Sequence, residues 1–231
     1  MAAYKHIIFD LDHTLWDFDT NCAETLEEIF EKYENKFFKG IKVLEFVETY
    51  KKVNQQMWDD YHKNVIDRAE LKTKRFSNTF QLLGFKNDFL ATILNEEFIK
   101  ICPTKTNLLP FAKDVLDYLK EKYTLHILTN GFKESQYLKI NNSGIAHYFL
   151  HVILSETLGL LKPDKGIFDH AVTMFKAQRN DCIMVGDDLV ADVLGAKNAG
   201  MDHVYFNKGG VKHSENIQFE IKCLTELKHI L

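Results

Sequence analysis

The feature that most constrains the fold is a set of short apolar runs separated by segments of helical period. These runs occupy residues 4–8, 123–128, 151–154, 182–185 and 203–206. Runs of this length, bounded by turn residues, are typical of buried strands. Strands that alternate with helices are joined by right-handed crossovers and lie parallel. The sequence therefore predicts an α/β protein, in which a parallel sheet carries helices on both faces.

Between the first two runs the pattern is helical throughout. Apolar residues recur at three- and four-residue spacing over 19–37 and 41–62. Asp67 and Glu70 are spaced as in a capping box, which predicts a third helix ending before Gly84. A fourth predicted helix spans 87–101 and stops before Pro103.

Two domains follow from this division. We predict a core formed by residues 1–16 and 103–231, and an all-helical insertion of the four-helix-bundle type at 17–102. The charged segment after Asn207 is predicted to be a solvated closing segment without a function.

Composition excludes several classes of partner. A formal net charge of −4 gives no basic excess for a nucleic acid polymer. No apolar run approaches the roughly 20 residues that span a bilayer, so no membrane partner is expected. Residues 1–4 lead straight into the first strand, which leaves no room for a leader. Four widely separated cysteines, without a CxxC pair, predict free thiols and a cytoplasmic protein.

Residues capable of chemistry follow each of the first four predicted strands. They are Asp10 and Asp12 after the first, Thr129, Asn130 and Gly131 at the second, Lys162 beyond the third, and Asp187 and Asp188 after the fourth. Taken singly, they are explained by turns, a solvated lysine and a helix cap. Because ligands of parallel sheets bind beyond the carboxyl ends of the strands, we interpret them jointly as one site.

The two carboxylates of the first strand suit different tasks. Asp10 is the candidate nucleophile, because a carboxylate can attack phosphorus or carbon and form a covalent intermediate. It can stay ionised beside Asp12 and Asp187 only with a cation, and Mg²⁺ is the cofactor expected at such oxygen ligands. Asp12 would protonate the leaving oxygen and afterwards activate water.

The remaining residues would bind the phosphate or support the site. The Thr129 hydroxyl, neighbouring backbone N–H groups and the Lys162 ammonium can hold phosphate oxygens. Asp192, five residues after Asp187, could support the metal through water or Lys162 through charge.

In their order and separation, these motifs resemble those of the haloacid dehalogenase superfamily in its phosphatase form. The resemblance rests on the Asp-Leu-Asp-His-Thr segment at 10–14, Thr-Asn-Gly at 129–131, Lys162, and Gly-Asp-Asp at 186–188 with Asp192. It implies a Rossmann-like core, a helical cap and an aspartyl-phosphate intermediate on Asp10. It also implies Mg²⁺ ligands from Asp10, Asp187 and the Asp12 backbone carbonyl, with Thr129 and Lys162 at the phosphate.

The segment 10–19 and the helical cap most resemble the pyrimidine 5′-nucleotidase branch, which acts on nucleoside monophosphates. The expected partner is therefore a small phosphorylated substrate, bound by a monomer or homodimer. Residues considered for the base pocket are Trp16, Phe18, Trp58, Tyr61, His62 and Asn64, with Trp16 and Phe18 preferred because they adjoin the site.

Several alternatives stay open at this point. A sugar-phosphate phosphatase or a phosphomutase would keep every core motif, and a phospho-acceptor signalling module would also join acidic residues, Thr and Lys around an aspartate. A 2-haloacid dehalogenase needs neither Mg²⁺ nor an acid at the second position, so Asp12 and Asp187 disfavour it.

Overall fold

The computed structural model describes residues 4–38 and 40–231. Within them, six parallel strands form one sheet in the order β3-β2-β1-β4-β5-β6. The strands are β1 (His6–Phe9), β2 (Thr124–Thr129), β3 (Phe149–Leu154), β4 (Cys182–Gly186), β5 (Asp202–Phe206) and β6 (Phe219–Ile221). The prediction that residues 1–4 lead straight into the first strand depends partly on residues 1–3, which lie outside the described residues.

The first strand lies in the middle of the sheet, as its composition requires. Ile7, Ile8 and Phe9 have no exposed surface, and His6 is paired with both Thr124 and Cys182. A strand covered on both faces needs such an apolar run. The predicted α/β architecture, with its Rossmann-like parallel sheet, is confirmed.

Helices accompany the sheet along the chain. They are α6 (Ala112–Lys120), α7 (Lys133–Asn142), α8 (Ser155–Leu158), α9 (Lys165–Phe175), α10 (Gly195–Asn198) and α11 (Leu227–Ile230), with a π-helical segment, Leu189–Leu194, just before α10. Phe168 of α9 belongs to one core cluster with Ile8 and Met184, while α6 contacts β2. The apolar face of α6 is formed by Val115, Leu116 and Leu119, which are all fully buried.

The segment between β1 and α6 is helical, as predicted. Its helices are α1 (Phe18–Phe37), α2 (Val43–His62), α3 (Arg68–Thr73), α4 (Arg75–Leu82) and α5 (Asp88–Ile101). The predicted capping box is present: the Asp67 carboxylate accepts from the Glu70 N–H at 2.8 Å. The helix predicted after this box is interrupted at Lys74, between α3 and α4, because the Thr73 carbonyl accepts a hydrogen bond from the Asn95 side chain at 2.6 Å. One predicted helix is thus two.

The chain forms two compact units, one of Met1–Phe18 and Thr106–Leu231, the other of Asp19–Lys105. The second unit has an aromatic core that includes Phe38, Phe46 and Phe76, all nearly devoid of exposed surface. Among the described residues, none of the helices combines the length and apolar character that crossing a bilayer requires. All four cysteines are free thiols.

The prediction of a solvated segment after Asn207 fits residues 208–216, which are mostly exposed, but was wrong from residue 219 onwards. Residues Phe219–Ile221 form β6, which pairs with β5, and Leu224 and Leu227 are buried. The Asn207 side chain anchors the connection by donating to the Val211 carbonyl at 2.9 Å and to Glu220 at 2.7 Å. A three-residue strand after a long polar connection carries too little alternation to be recognised.

Candidate active site

Three neighbouring strands bring the predicted residues to one edge of the sheet. Asp10 directly follows β1, Thr129 ends β2, and Asp187 directly follows β4. The strand order reverses direction between β1 and β4, which is where doubly wound folds bind ligands. The Asp10 N–H donates to the Val185 carbonyl at 2.9 Å, so the β1–β4 ladder fixes the backbone of Asp10.

Lys162 lies at the centre of the site and is almost fully buried. Its ammonium donates to Asp10 Oδ1 at 2.6 Å, to Asp192 Oδ1 at 2.6 Å and to the Leu128 carbonyl at 2.9 Å. An ammonium has three N–H donors, so all of them have partners. Although burial opposes the charged form, Asp10 and Asp192 raise the pKa of Lys162, which stays protonated.

Asp10, Asp187 and Asp192 form a carboxylate cluster. One oxygen of each lies within 4.8 Å of the others. Burial raises the pKa of Asp187 to about 7, with repulsion from Asp192 in the same direction. Burial likewise raises the pKa of Asp10 well above its ordinary value, against the opposing charge of Lys162. Thr14 stabilises the ionised Asp187 by donating to its Oδ1 at 2.9 Å.

This donor set fits a hard divalent cation. Mg²⁺ prefers carboxylate oxygens, and a cation relieves the repulsion that raises these pKa values. The expected set was Asp10, Asp187 and the Asp12 backbone carbonyl, with Asp192 in support. In the structure, Asp192 is a third carboxylate of the cluster, and the Asp12 carboxylate is outside it.

The Asp12 carboxylate is instead held by α7. Lys139 Nζ lies 2.6 Å from Oδ1 and 2.9 Å from Oδ2, and Gln136 donates to Oδ2 at 2.8 Å. Burial of Asp12 favours the neutral acid, but these two donors outweigh it and lower the pKa of Asp12. Sequence reasoning missed both residues. The available signal was two polar side chains on the same helical face as the buried Ile140.

Two glycines leave room for polar side chains behind the site. A Cβ on Gly131 would lie 1.5 Å from Gln136 Nε2, and a Cβ on Gly186 would lie 2.2 Å from Asp192 Oδ2. Any larger residue would therefore displace a group that contacts Asp12 or Lys162. Gly131 thus provides space behind Asp12, in addition to its predicted place in the phosphate-binding turn.

The Thr-Asn-Gly turn is held by its own side chains. Thr129 Oγ1 accepts from the Gly131 N–H at 3.1 Å. The Asn130 amide accepts from the Lys162 N–H at 2.8 Å and donates to the Lys162 carbonyl at 3.0 Å, so it fixes the backbone of the buried lysine.

The other predicted residues have the following positions. Asp188 accepts from the Val190 and Ala191 N–H groups at 2.8 Å and so caps the π-helical segment. The Trp16 ring is fully buried, with the Lys139 ammonium 4.5 Å from its centroid. The same ammonium lies 5.6 Å from the centroid of Phe18.

The predicted residues of the inserted unit adjoin each other at the end of α2. Trp58 is 5.8 Å from Tyr61 and 5.7 Å from His62 between ring centroids. Asn64 follows in the left-handed region, with φ 57°.

The fold and the site define an α/β enzyme with a carboxylate-rich centre at the switch point of its sheet. The chain belongs to the haloacid dehalogenase-like hydrolases, whose family model matches residues 4–200.

Three similar proteins support this assignment. The pyrimidine 5′-nucleotidase YjjG of Escherichia coli (strain K12) is 31% identical, with 97% of this chain and 96% of the relative covered. The pyrimidine 5′-nucleotidase PynA of Streptococcus pneumoniae is 31% identical, with 92% and 86% covered. The crystal structure of the HAD-hydrolase YfnB from Bacillus subtilis, bound to magnesium, superposes with a TM-score of 0.88 at 27% identity and covers 98% of both chains. The predicted family and enzyme class are confirmed: the chain is a hydrolase of this family, in its phosphatase form.

Proposed function

We propose that the protein is a Mg²⁺-dependent 5′-nucleotidase that hydrolyses pyrimidine nucleoside monophosphates through an aspartyl-phosphate on Asp10. The observation that carries the proposal is the position of Asp10. Its carboxylate lies at the switch point of the sheet, bonded to the Lys162 ammonium at 2.6 Å and clustered with Asp187 and Asp192. An anionic nucleophile beside fixed positive charge suits attack on a phosphate monoester.

The chain's own residues divide the work as follows. Asp10 attacks phosphorus, and Lys162 orients the nucleophile and favours its ionised form while offering its charge to the phosphate oxygens. Because all three donors of Lys162 have protein acceptors, phosphate binding must share or replace one of them. The Thr129 hydroxyl and the N–H groups of Asn130 and Gly131 are the proposed neutral phosphate donors, and the Gly131 N–H must share or replace its bond to Thr129 Oγ1. Asp12 exchanges the proton with the leaving oxygen and with water.

Asp10, Asp187 and Asp192, with the Asp12 backbone carbonyl, would hold Mg²⁺. When bound, the cation would neutralise charge on the transferring phosphoryl group.

The nucleotide preference is supported by the two relatives named as pyrimidine 5′-nucleotidases. Phe18, which is partly exposed, stays the preferred residue for the base, whereas the Trp16 ring has no exposed surface and could act only from behind it. Trp58, Tyr61, His62 and Asn64 are the predicted set in the inserted unit. We further propose a small-molecule enzyme of the cytoplasm, monomeric or homodimeric.

A substrate screen tests this function. Pyrimidine and purine monophosphates, hexose phosphates and triose phosphates are offered with Mg²⁺ and with EDTA, and released phosphate is measured. We expect Mg²⁺-dependent turnover that is fastest on a pyrimidine monophosphate. Faster turnover of a sugar phosphate would contradict the nucleotide preference, and hexose phosphate isomers as products would indicate a phosphomutase.

The nucleophile is tested separately. Asp10→Asn should reduce turnover at least about 1,000-fold, because the covalent route is lost. Asp114→Asn is the matched control, since Asp114 is exposed and its carboxylate pairs with Lys228 at 2.7 Å, away from the carboxylate cluster. Substantial turnover in Asp10→Asn would contradict the assignment of the nucleophile.

A further inference from the structure

Helix α7 presents two buried polar side chains to Asp12. Lys139 and Gln136 are 5% and 1% exposed, although a lysine and a glutamine on a surface helix normally reach solvent. Both side chains end on the Asp12 carboxylate. Such burial is unfavourable unless the groups are paired, so the two donors and Asp12 form one unit.

The two carboxylate oxygens are not equivalent. Each carboxylate oxygen can accept two hydrogen bonds. Oδ2 accepts from Lys139 at 2.9 Å and from Gln136 at 2.8 Å, whereas Oδ1 accepts only from Lys139, at 2.6 Å, among the described residues. One acceptor position is therefore open, and it is on Oδ1.

We propose that Lys139 and Gln136 are positioning residues that saturate Asp12 Oδ2 and leave Oδ1 as the oxygen that transfers the proton. This inference rests on the proposed phosphatase function. When Oδ1 carries the proton, Oδ2 still accepts from both donors, and the O–H is free to point away from α7.

Other contacts keep the two donors in place. The Lys139 ammonium lies 4.5 Å from the centroid of Trp16 and 5.6 Å from that of Phe18, which are favourable cation–π distances. Gly131 supplies the space that Gln136 occupies. The oxygen of the Gln136 amide is buried without a partner, so donation to Asp12 is the only bond of that amide within the described part of the chain.

The proposed chemistry balances at each step. First, an Asp10 oxygen forms a bond to phosphorus while the bond between phosphorus and the leaving oxygen breaks. The leaving oxygen takes the proton from Asp12 Oδ1. Then a water oxygen bonds to phosphorus while its proton passes to Asp12 Oδ1, and the Asp10 oxygen leaves with the electron pair of its bond. The net reaction consumes one water and releases an alcohol and phosphate.

A leaving-group comparison tests the proposal. The kcat/KM values are measured with Mg²⁺ for p-nitrophenyl phosphate and for the alkyl phosphate that the wild type hydrolyses fastest. Nitrophenolate leaves as a stable anion and needs no proton, whereas an alkoxide does. The variants are Lys139→Met, Gln136→Met and Lys139→Arg, with Lys133→Met as a control because Lys133 is an exposed lysine of the same helix. Urea midpoints show whether each variant folds.

General acids contribute roughly 100-fold or more, so Lys139→Met should lose about 100-fold on the alkyl phosphate and less than about 5-fold on p-nitrophenyl phosphate. Gln136→Met should show the same asymmetry at about 10-fold, because Lys139 still holds the carboxylate. Lys139→Arg should recover at least about 10-fold on the alkyl phosphate, and Lys133→Met should match the wild type.

Equal losses on both substrates, with the fold intact, would overturn the positioning role while leaving the phosphatase function standing. Unchanged kcat/KM values in Lys139→Met would also overturn the positioning role. A wild type that hydrolyses neither substrate would overturn the proposed function and this inference with it.

Discussion

Acid should destabilise the fold through His126, a histidine in the middle of β2. Its ring has no exposed surface and stacks on Phe175 at 3.6 Å between centroids. Nε2 lies 3.1 Å from His6 Nδ1, and the ring stacks on His151 at 5.3 Å. Within the described part of the chain, His126 Nδ1 is buried without a hydrogen-bond partner. A protonated His126 would bury an unpaired N–H and face two further histidines.

The magnitude follows from linkage. Burial, reinforced by His6 and His151, lowers the pKa of His126 to about 3 from 6.5. The folded state therefore binds the proton more weakly than the unfolded chain does. Stability is lost as pH falls below about 6.5 and continues to fall until about pH 3, by up to about 1.4 kcal/mol per pH unit. At pH 5 the full loss is about 2 kcal/mol; because His6 and His151 are partly exposed and admit solvent, we expect about 1 to 2 kcal/mol.

Urea unfolding at pH 7.5 and pH 5.0 measures the effect. His126→Leu keeps a similar volume and removes the titrating group. From pH 7.5 to pH 5.0 the free energy of unfolding should decrease in both proteins, and the decrease should be about 1 to 2 kcal/mol smaller in His126→Leu than in the wild type. His147→Leu, at an exposed histidine, is the matched control and should follow the wild type. An equal pH dependence in wild type and His126→Leu would refute the reasoning.

Three further perturbations concern the site. Gly186→Ala should lower kcat by at least about 10-fold, because the new Cβ would lie 2.2 Å from Asp192 Oδ2 and would displace that carboxylate. Gly209→Ala is the control: its Cβ would lie 3.8 Å from Val211, an ordinary contact, and kcat should not change. Asn130→Ala leaves the Lys162 backbone without two hydrogen bonds and should reduce the free energy of unfolding by about 1 to 3 kcal/mol; an unchanged urea midpoint would contradict this. Removing Mg²⁺ with EDTA should abolish turnover and lower the melting temperature, and an excess of Mg²⁺ should restore both.

Much of the fold was predictable because its signals are local. The apolar run before Asp10 and the strands that follow have the composition of a covered parallel sheet, and each strand end is marked by turn residues. The break at Lys74 was not predictable, because its cause is a hydrogen bond from Asn95, twenty-two residues further along the chain from Thr73. The strand β6 is stabilised by β5 and by the anchor at Asn207, and neither is visible in its own three residues.

The candidate site divides in the same way. Residues that follow strands were found because sheet topology brings strand ends together. Residues that reach the site from helices were missed, since only the packing of α7 shows that Lys139 ends on Asp12 rather than in solvent. Likewise, the sequence offered Asn130 for the substrate, but its amide already has two partners on the Lys162 backbone.

The contrast between Asp10 and Asp12 explains why two residues of the same type can have different tasks. The β1–β4 ladder fixes Asp10 among other carboxylates, and burial there raises its pKa. Two residues later the chain has left the strand, and α7 supplies Asp12 with an ammonium and an amide that lower its pKa. The proposed roles need the reverse protonation, with Asp10 ionised and Asp12 protonated; a bound cation would lower the pKa of Asp10, and an anionic phosphate beside Asp12 would raise that of Asp12. The different tasks of Asp10 and Asp12 depend on α7 as much as on β1. Exchanging the two roles would therefore require a different α7, and not only a shift of β1 relative to its neighbouring strands.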